Sequence, residues 1–288
     1  MEFELKQPEE LKKIEIQILK EFISVCDKLN LKYYLMEGTL LGAVRHGGFI
    51  PWDDDIDVGM PREDYDRFCR EGQKLLPEHY FIQTIHTECD YRANFAKIRD
   101  SHTTFIETSV RNCNINHGIY IDIFPLDYCF DDVSAQTRRF RKQRFMNIRI
   151  AMGFYFPNHQ KTLKRKIAEV ISVIRYPTIR SALSAREKWM KALPQSSTFA
   201  NYCSAWYKKE IVPKEWFGEG EYLEFEGFRA RVPKEYDKWL TCVYGDYMQL
   251  PPIEKRVAHH YADVIDTTKP YTFYKNNNDI DKGKNKKQ

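Results

Sequence analysis

The sequence lacks an apolar run that could cross a membrane and a cysteine pattern that would bind a structural metal. No apolar stretch reaches the roughly 18 residues that a transmembrane helix needs. The N-terminus, MEFELKQPEELKKIEIQ, is charged from its second residue, unlike a secretory signal. The seven cysteines form no C-x-x-C pair, so a zinc site has little support. These absences predict a reduced cytoplasmic protein without a membrane span.

A strong excess of charge is also missing. The formal net charge is only +4, and no nucleic-acid-binding motif accompanies the basic residues, so nucleic acid is not an expected partner. What the 288 residues do contain is 42% hydrophobic residues, enough to bury a sizeable core. An ordinary globular enzyme is the expected class.

The most informative segment is a cluster of four aspartates, Asp53, Asp54, Asp55 and Asp57, that follows a Gly38-Thr39 turn. If the segment is a strand, alternation puts Asp53, Asp55 and Asp57 on one face and Asp54 on the other. Like charges this close repel each other, and a divalent cation is the most effective compensation. Oxygen ligands favour Mg²⁺ or Mn²⁺.

Two alternatives for this cluster are weaker. A solvated acidic turn would not alternate with apolar residues such as Ile56 and Val58. A calcium-binding EF-hand loop that starts at Asp53 would need glycine at its sixth position and glutamate at its twelfth. The sequence has Val58 and Asp64 there. The sequence therefore does not match a calcium-binding EF-hand loop.

The hydrophobic pattern predicts a mixed α/β (α+β) sheet flanked by helices. Expected helices are residues 8–30, 38–45, 62–76 and 234–243, and expected strands are 31–36, 56–60, 80–85, 95–99 and 119–124, with a hairpin over 222–232. The predicted organisation is a catalytic core over 1–130, a basic helical insert over 131–195, a C-terminal part over 196–265 that completes the substrate site, and a disordered tail over 266–288.

Four motifs resemble the LicD family, which includes bacterial phosphocholine transferases and the animal fukutin-related proteins. They are EGTLLGAVRHGGFIPWDDDIDVGMPREDYDRF from residue 37, NFAKIRD from 94, GIYIDIFPLD from 118 and LPPIEKRVAHH from 250. Their order and spread over residues 11–260 make the resemblance specific. It implies a nucleotidyltransferase-type fold that moves an alcohol phosphate from a CDP-activated donor to a glycan hydroxyl and releases CMP.

The resemblance also assigns roles to the turn and to a third carboxylate. Gly38 and Thr39 match the family's Gly-Ser turn, whose backbone N–H groups face phosphate at a helix start. Asp122 is a lone charge among apolar and aromatic residues and is the expected third carboxylate; pairing with a structural arginine is the alternative. Asp127 is open between a site role and a turn role.

The mechanistic hypothesis divides the site between carboxylates and bases. Asp55 and Asp57 would hold one or two Mg²⁺ ions, Asp122 would complete the metal site or act as the base, and Asp53 would be a further ligand. Donor phosphate is expected at Gly38, Thr39 and the basic side chains. These are Arg45, Lys97 and Arg99, with Arg256, His259 and His260 added by the resemblance. Solvated surface charge is the alternative for Arg45, Lys97 and Arg99.

Two further features leave alternatives open. Residues 134–192 hold fifteen Lys or Arg against Glu169 and Glu187, which suits either an anionic membrane surface or a solvated helical face. The aromatic residues Trp206, Tyr207, Trp216 and Trp239 suit core packing better than a cage for a quaternary ammonium.

Three functional classes remain. The first is a phosphotransferase that uses CDP-choline, or another CDP-alcohol, and a glycan acceptor or its lipid-linked precursor, as in lipopolysaccharide or teichoic acid biosynthesis. The second is a true nucleotidyltransferase that releases pyrophosphate, and the third is a non-catalytic glycan- or membrane-binding protein. Intact Asp55, Asp57 and Asp122 favour the first two. The expected location is the cytoplasm, with peripheral contact at the inner face of the membrane as an option.

Overall fold

The computed structural model describes residues 8–155, 162–206, 208–257 and 261–276. The helices are α1 Pro8–Leu29, α2 Glu37–His46, α3 Arg62–Glu71, α4 Val133–Ala151, α5 Leu163–Arg175, α6 Ile179–Met190, α7 Tyr236–Tyr244 and α8 Tyr271–Asn276. The strands are β1 Tyr34–Leu35, β2 Asp57–Pro61, β3 Tyr80–Gln83, β4 Ala96–Asp100, β5 Thr104–Glu107, β6 Ile119–Cys129, β7 Thr198–Ala200, β8 Ile211–Pro213, β9 Glu221–Phe225, β10 Phe228–Val232 and β11 Ala262–Asp266.

A seven-stranded mixed sheet organises the molecule. Its main path runs β1-β2-β6-β4-β3, and β7 and β8 continue from the far end of β6. Strand β2 runs parallel to β6, whereas β4 and β7 run antiparallel to it. The strand β6 is therefore the shared centre, and the predicted mixed α/β class is confirmed.

Helix α1 covers this sheet because its apolar residues recur at helical spacing. Leu11, Ile18, Phe22 and Cys26 are all buried in the main hydrophobic core, and α1 packs against β6 and β4. Both the helix and its amphipathic character agree with the sequence prediction. Burial of this face stabilises the sheet that carries the site.

The hairpin prediction is confirmed, with Phe225 paired to Phe228. Glu226 and Gly227 form its two-residue turn with φ of +50° and +78°, which suits the right-handed twist of the flanking strands.

The prediction of a disordered tail over 266–288 is wrong for the first part of that range. Tyr271–Asn276 form α8, whose first backbone N–H donates to Thr103 O at 3.0 Å. Residues 277–288 lie outside the described part of the chain.

Helices α4, α5 and α6 form the basic insert. Both α5 and α6 pack on α4, and α6 also contributes Ala182 and Leu183 to a second hydrophobic cluster with Ile85 and Tyr91. The insert is thus attached to the sheet side of the molecule through α6. Among the helices of the described ranges, not one has both the length and the hydropathy that crossing a bilayer requires.

Candidate active site

Three charged side chains lie in one row across the centre of the sheet. Asp57 on β2 is in register with Asp122 on β6, and Asp122 is in register with Lys97 on β4. In-register neighbours on adjacent strands point to the same face about 5 Å apart. All three residues are buried, and Lys97 Nζ lies 2.8 Å from Asp122 Oδ1. Strand pairing thus brings together residues that are distant in sequence.

The start of α2 is joined directly to this row. Thr39 Oγ1 accepts a hydrogen bond from the backbone N–H of Asp57 at 2.8 Å, and Met36 N–H donates to Asp57 O at 3.0 Å. A Cβ on Gly38 would stand 2.4 Å from Asp53 Oδ2, so only glycine fits without moving that carboxylate. The N-terminal end of α2 therefore lies against the carboxylates, where its partial positive charge attracts anions.

The aspartates ahead of β2 are arranged differently from the prediction. The strand begins only at Asp57, and a turn closed by Asp53 N–H donating to Ile50 O at 2.9 Å keeps the preceding residues in a loop. Strand alternation therefore does not apply to Asp53 and Asp55. Instead, carboxylate oxygens of Asp53, Asp54 and Asp55 lie within 4.8 Å of one another. The expectation that Asp54 faces away from the other two is wrong.

Three buried or partly buried glutamates near this cluster were missed by the sequence analysis. Glu37 opens α2, Glu15 lies on α1, and Glu210 precedes β8. Burial and then Glu210 raise the pKa of Glu37, and burial raises the pKa of Glu210 to about 7. Burial and then Asp55 raise the pKa of Glu15 well above its usual value. No local pattern signals these residues, because they come from three distant segments.

The electrostatics of the row favour a bound cation. Burial, followed by the charges of Asp55, Glu37 and Asp122, raises the pKa of Asp57 well above the usual value. Several carboxylates that disfavour each other's charge in a partly buried site would be relieved by a divalent cation. The donors are carboxylate oxygens, the set that Mg²⁺ and Mn²⁺ prefer. The residues present therefore fit such an ion.

The predicted phosphate-binding bases fall into two groups. Lys97 lies at the row, with its ammonium 3.3 Å from the centroid of the Tyr120 ring. Arg99 is fully buried, and its guanidinium contacts Gln83, Gly118 O and Glu107 at 2.7 to 2.9 Å. These contacts make Arg99 a support for the neighbouring strands, and they do not favour direct contact with a donor.

Arg45 and Arg256 form the second group. Arg45 donates to Tyr247 O at 2.7 Å, and burial followed by the charge of Arg256 lowers the pKa of its guanidinium. Arg256 donates to Pro251 O at 2.8 Å and lies 5.4 Å from the ring centroid of Trp52, the residue before Asp53. Two cations therefore gather beside the aspartate loop. His259 and His260 lie outside the described residues.

Other candidates from the sequence are structural. Asp127 accepts both of its hydrogen bonds from Arg62 at 2.7 Å, and both residues are buried, which answers the open question about Asp127. Trp239 is fully buried and Trp216 packs against the core, whereas Trp206 is 40% exposed. Core packing is thus correct for two of these aromatics, and Tyr207 lies outside the described residues.

Comparison with known proteins defines the class of this site. Residues 30–170 match the profile of the LicD/FKTN/FKRP nucleotidyltransferase domain, and this range contains β1 to β6 with the whole charged row. A helix start that attracts anions and carboxylates that can hold a cation are groups that suit phosphoryl transfer. The chain is an enzyme of the phosphotransferase class.

The relatives identify the family. The chain is 31% identical over 253 residues to the lipopolysaccharide cholinephosphotransferase LicD of Haemophilus influenzae, covering 86% of this chain and 94% of that protein. It is 48% identical over 106 residues to the ribitol 5-phosphate transferase FKRP of Homo sapiens, covering 35% of this chain but 21% of that protein. An uncharacterised Rickettsia prowazekii protein is 40% identical over 126 residues, 43% of this chain and 45% of that protein. The chain belongs to the LicD family.

Proposed function

We propose that this enzyme transfers an alcohol phosphate, with phosphocholine favoured, from a CDP-activated donor to a hydroxyl of a glycan or its lipid-linked precursor. The observation that carries the proposal is the row Asp57–Asp122–Lys97 beside the Asp53–Asp55 loop and the start of α2. Choline is favoured over ribitol because the choline-phosphate relative matches most of both chains, whereas the ribitol-phosphate relative matches one segment.

The metal ligands in this proposal are Asp53, Asp55, Asp57 and Asp122. A divalent cation held there would supply charge neutralisation to the donor diphosphate and to the departing CMP. Asp54 is a further candidate, since its carboxylate lies with those of Asp53 and Asp55. Cation binding would also offset the repulsion that raises the pKa of Asp57.

The remaining residues of the site bind and orient. The N–H groups at Gly38 and Thr39 would face the donor phosphate at the start of α2, and Arg45 and Arg256 would bind the outer phosphate oxygens. Lys97 holds Asp122 in place through their 2.8 Å ion pair. Asp122 then either ligates the cation or accepts the proton of the acceptor hydroxyl. We place the reaction in the cytoplasm, because the seven free thiols are typical of a reducing compartment.

Binding and product analysis test the proposal. Calorimetry with CDP-choline, CDP-ribitol, CMP and CTP, each with Mg²⁺ and with EDTA, should show metal-dependent binding that is tightest for CDP-choline. Turnover should release CMP and no pyrophosphate, and Asp57→Asn should abolish it while retaining the fold. Pyrophosphate release from CTP would establish the nucleotidyltransferase alternative, and donor binding that ignores metal would refute the assigned ligands.

A further inference from the structure

Helix α5 presents its apolar residues to solvent and its small and polar residues to the protein. Ala168, Glu169 and Ser172 are its buried positions. The large apolar residues of the helix are exposed, namely Leu163, Ile167, Val170, Ile171, Val173 and Ile174. A surface helix of a globular protein normally has the opposite arrangement. The exposed apolar face therefore needs a different explanation from core packing.

The inner face of α5 carries polar contacts, of which one reaches the end of α4 and the others lie within the helix. Arg165 Nε donates to Glu169 Oε1 at 3.1 Å. Ser172 Oγ donates to Glu169 O at 2.7 Å and also lies 3.7 Å from Met152 Sδ, just beyond the end of α4. A rotation of α5 that turned its apolar residues inward would expose Ala168 and Ser172. It would also bury Lys164 or Lys166 together with the apolar residues. The outward orientation is thus built into the sequence of α5.

The exposed apolar residues form one stripe along α5. At 100° per residue, Leu163, Ile167, Val170 and Ile174 lie within a sector of about 60°. Ile171 borders this sector on one side, and Val173 lies on the other side beyond Lys166. Leu163 is 73% exposed and Ile174 is 77% exposed, so the stripe is accessible at both ends of the helix. Its length is about 17 Å, since Ile174 lies eleven residues after Leu163 and each residue rises about 1.5 Å.

The rim of the stripe carries positive charge. Lys164, Lys166 and Arg175 are exposed and flank the apolar residues, and Arg141 and Lys142 are exposed on the neighbouring α4. The two acidic residues of the region are both engaged with cations. Glu169 pairs with Arg165, and Glu187 pairs with Lys191 and contacts His86. The surface around α5 is therefore both apolar and cationic.

We propose that α5 docks the enzyme on an anionic lipid bilayer. The apolar stripe would enter the boundary between headgroups and acyl chains, and the cationic rim would meet lipid phosphates. Charge complementarity favours this partner over a second copy of the chain. Two α5 helices packed face to face would bring Lys164, Lys166 and Arg175 against the same residues of the partner.

The insert links the docked helix to the site. On α6, Leu183 O accepts a hydrogen bond from Asn94 Nδ2 at 3.0 Å, and Arg186 Nη1 donates to Asn94 Oδ1 at 3.2 Å. Asn94 lies three residues before Lys97 at the beginning of β4. Docking through α5 would therefore tether the sheet that carries the charged row to the bilayer through α4 and α6. The docking itself is independent of which donor the enzyme uses.

The test is vesicle cosedimentation of the full chain without nucleotide. Wild type should bind vesicles of phosphatidylcholine mixed with phosphatidylglycerol and bind phosphatidylcholine vesicles far less. Ile167→Glu/Ile174→Glu should lower binding to the anionic vesicles more than tenfold, because two aliphatic side chains no longer enter the bilayer. Lys164→Gln/Lys166→Gln should lower it by about fivefold for each charge removed.

Matched controls separate docking from general surface effects. Ile253→Glu changes a side chain that is 78% exposed in another element, and Lys28→Gln/Lys74→Gln removes two exposed charges elsewhere; both should bind like wild type. Circular dichroism checks that each variant is folded. The proposal would be overturned if the wild type did not bind the anionic vesicles, or if Ile167→Glu/Ile174→Glu bound them as well as the wild type does. So would a wild-type dimer that this variant dissociates, since α5 would then be a self-association surface.

Discussion

Replacing Gly38 by alanine should disable the carboxylate site while leaving the protein folded. The new Cβ would stand 2.4 Å from Asp53 Oδ2, and ordinary contact begins near 3.4 Å, so this oxygen must retreat by about 1 Å. The clash is with the end of a flexible side chain, and alanine is the better helix former by about 1 kcal/mol. The free energy of unfolding should therefore fall by no more than about 0.5 kcal/mol.

The expected loss is in catalysis. A misplacement of about 1 Å at a phosphoryl-transfer site costs on the order of a hundredfold. We expect kcat/KM for CMP release from CDP-choline to fall by about that factor, and the Mg²⁺ concentration for half-maximal activity to rise. Urea unfolding of the same variant measures the effect on stability.

Two comparisons make the reasoning refutable. Asp53→Ala added to Gly38→Ala should cost little more than either change alone, because both act on one carboxylate. Gly47→Ala should lose about 1 kcal/mol of stability, since its φ is +69°, yet keep the Mg²⁺ dependence, since nothing lies within 4 Å of its Cβ. A Gly38→Ala enzyme with wild-type activity and Mg²⁺ dependence would show that Asp53 is not part of the site.

Three other predictions concern buried charge. Asp57→Asn should raise the melting temperature in EDTA by about 2 °C or more, because it removes a charge that burial and neighbouring carboxylates disfavour. The variant should also lose the rise in melting temperature that Mg²⁺ gives the wild type. An unchanged Mg²⁺ response in thermal unfolding would contradict this prediction. Arg62→Met should lower the free energy of unfolding by about 3 to 5 kcal/mol, because Asp127 stays buried without its partner. Urea titrations measure this loss, and adding Asp127→Leu should recover most of it. Burial raises the pKa of Glu210 from 4.5 to about 7, so in this pH range the folded state keeps a proton that the unfolded state loses. The free energy of unfolding should therefore fall by about 3 kcal/mol as the pH rises from 4.5 through 7. Urea titrations with EDTA measure this, and a Glu210→Gln variant with the same pH dependence would refute the assignment.

Local patterns predicted the elements that depend on local physics. The spacing of apolar residues in α1 gave the helix and its buried face, because a periodicity of 3.6 residues needs no distant partner. Glu226-Gly227 gave the hairpin, because glycine and its neighbour can adopt positive φ there. The lone charge of Asp122 between apolar residues pointed to a site, and the sheet places it beside Asp57.

The rest of the site depends on contacts that no local pattern encodes. The alternation of Asp53, Asp55 and Asp57 suggested one strand, but a turn after Ile50 keeps the first two in a loop. Glu37 and Glu210 meet only because α2 and the segment before β8 converge. The alternation of Lys97 and Arg99 does not indicate their partners either. Lys97 pairs with Asp122 on β6 and Glu107 on β5, whereas Arg99 contacts Gln83 on β3 and Glu107 on β5.

The basic insert is, in topological terms, a long hairpin loop between β6 and β7. Cys129 at the end of β6 pairs with Thr198 at the start of β7, and Ser196 Oγ donates to Cys129 O at 2.7 Å. Residues 130–197 thus leave and re-enter the sheet at adjacent points. Each doubling of such a loop costs only about 0.6 kcal/mol of closure entropy. Changes in the length of this loop that keep the α6 contacts with Asn94 and with the cluster around Ile85 should therefore be compatible with the same strand register at Asp57, Asp122 and Lys97.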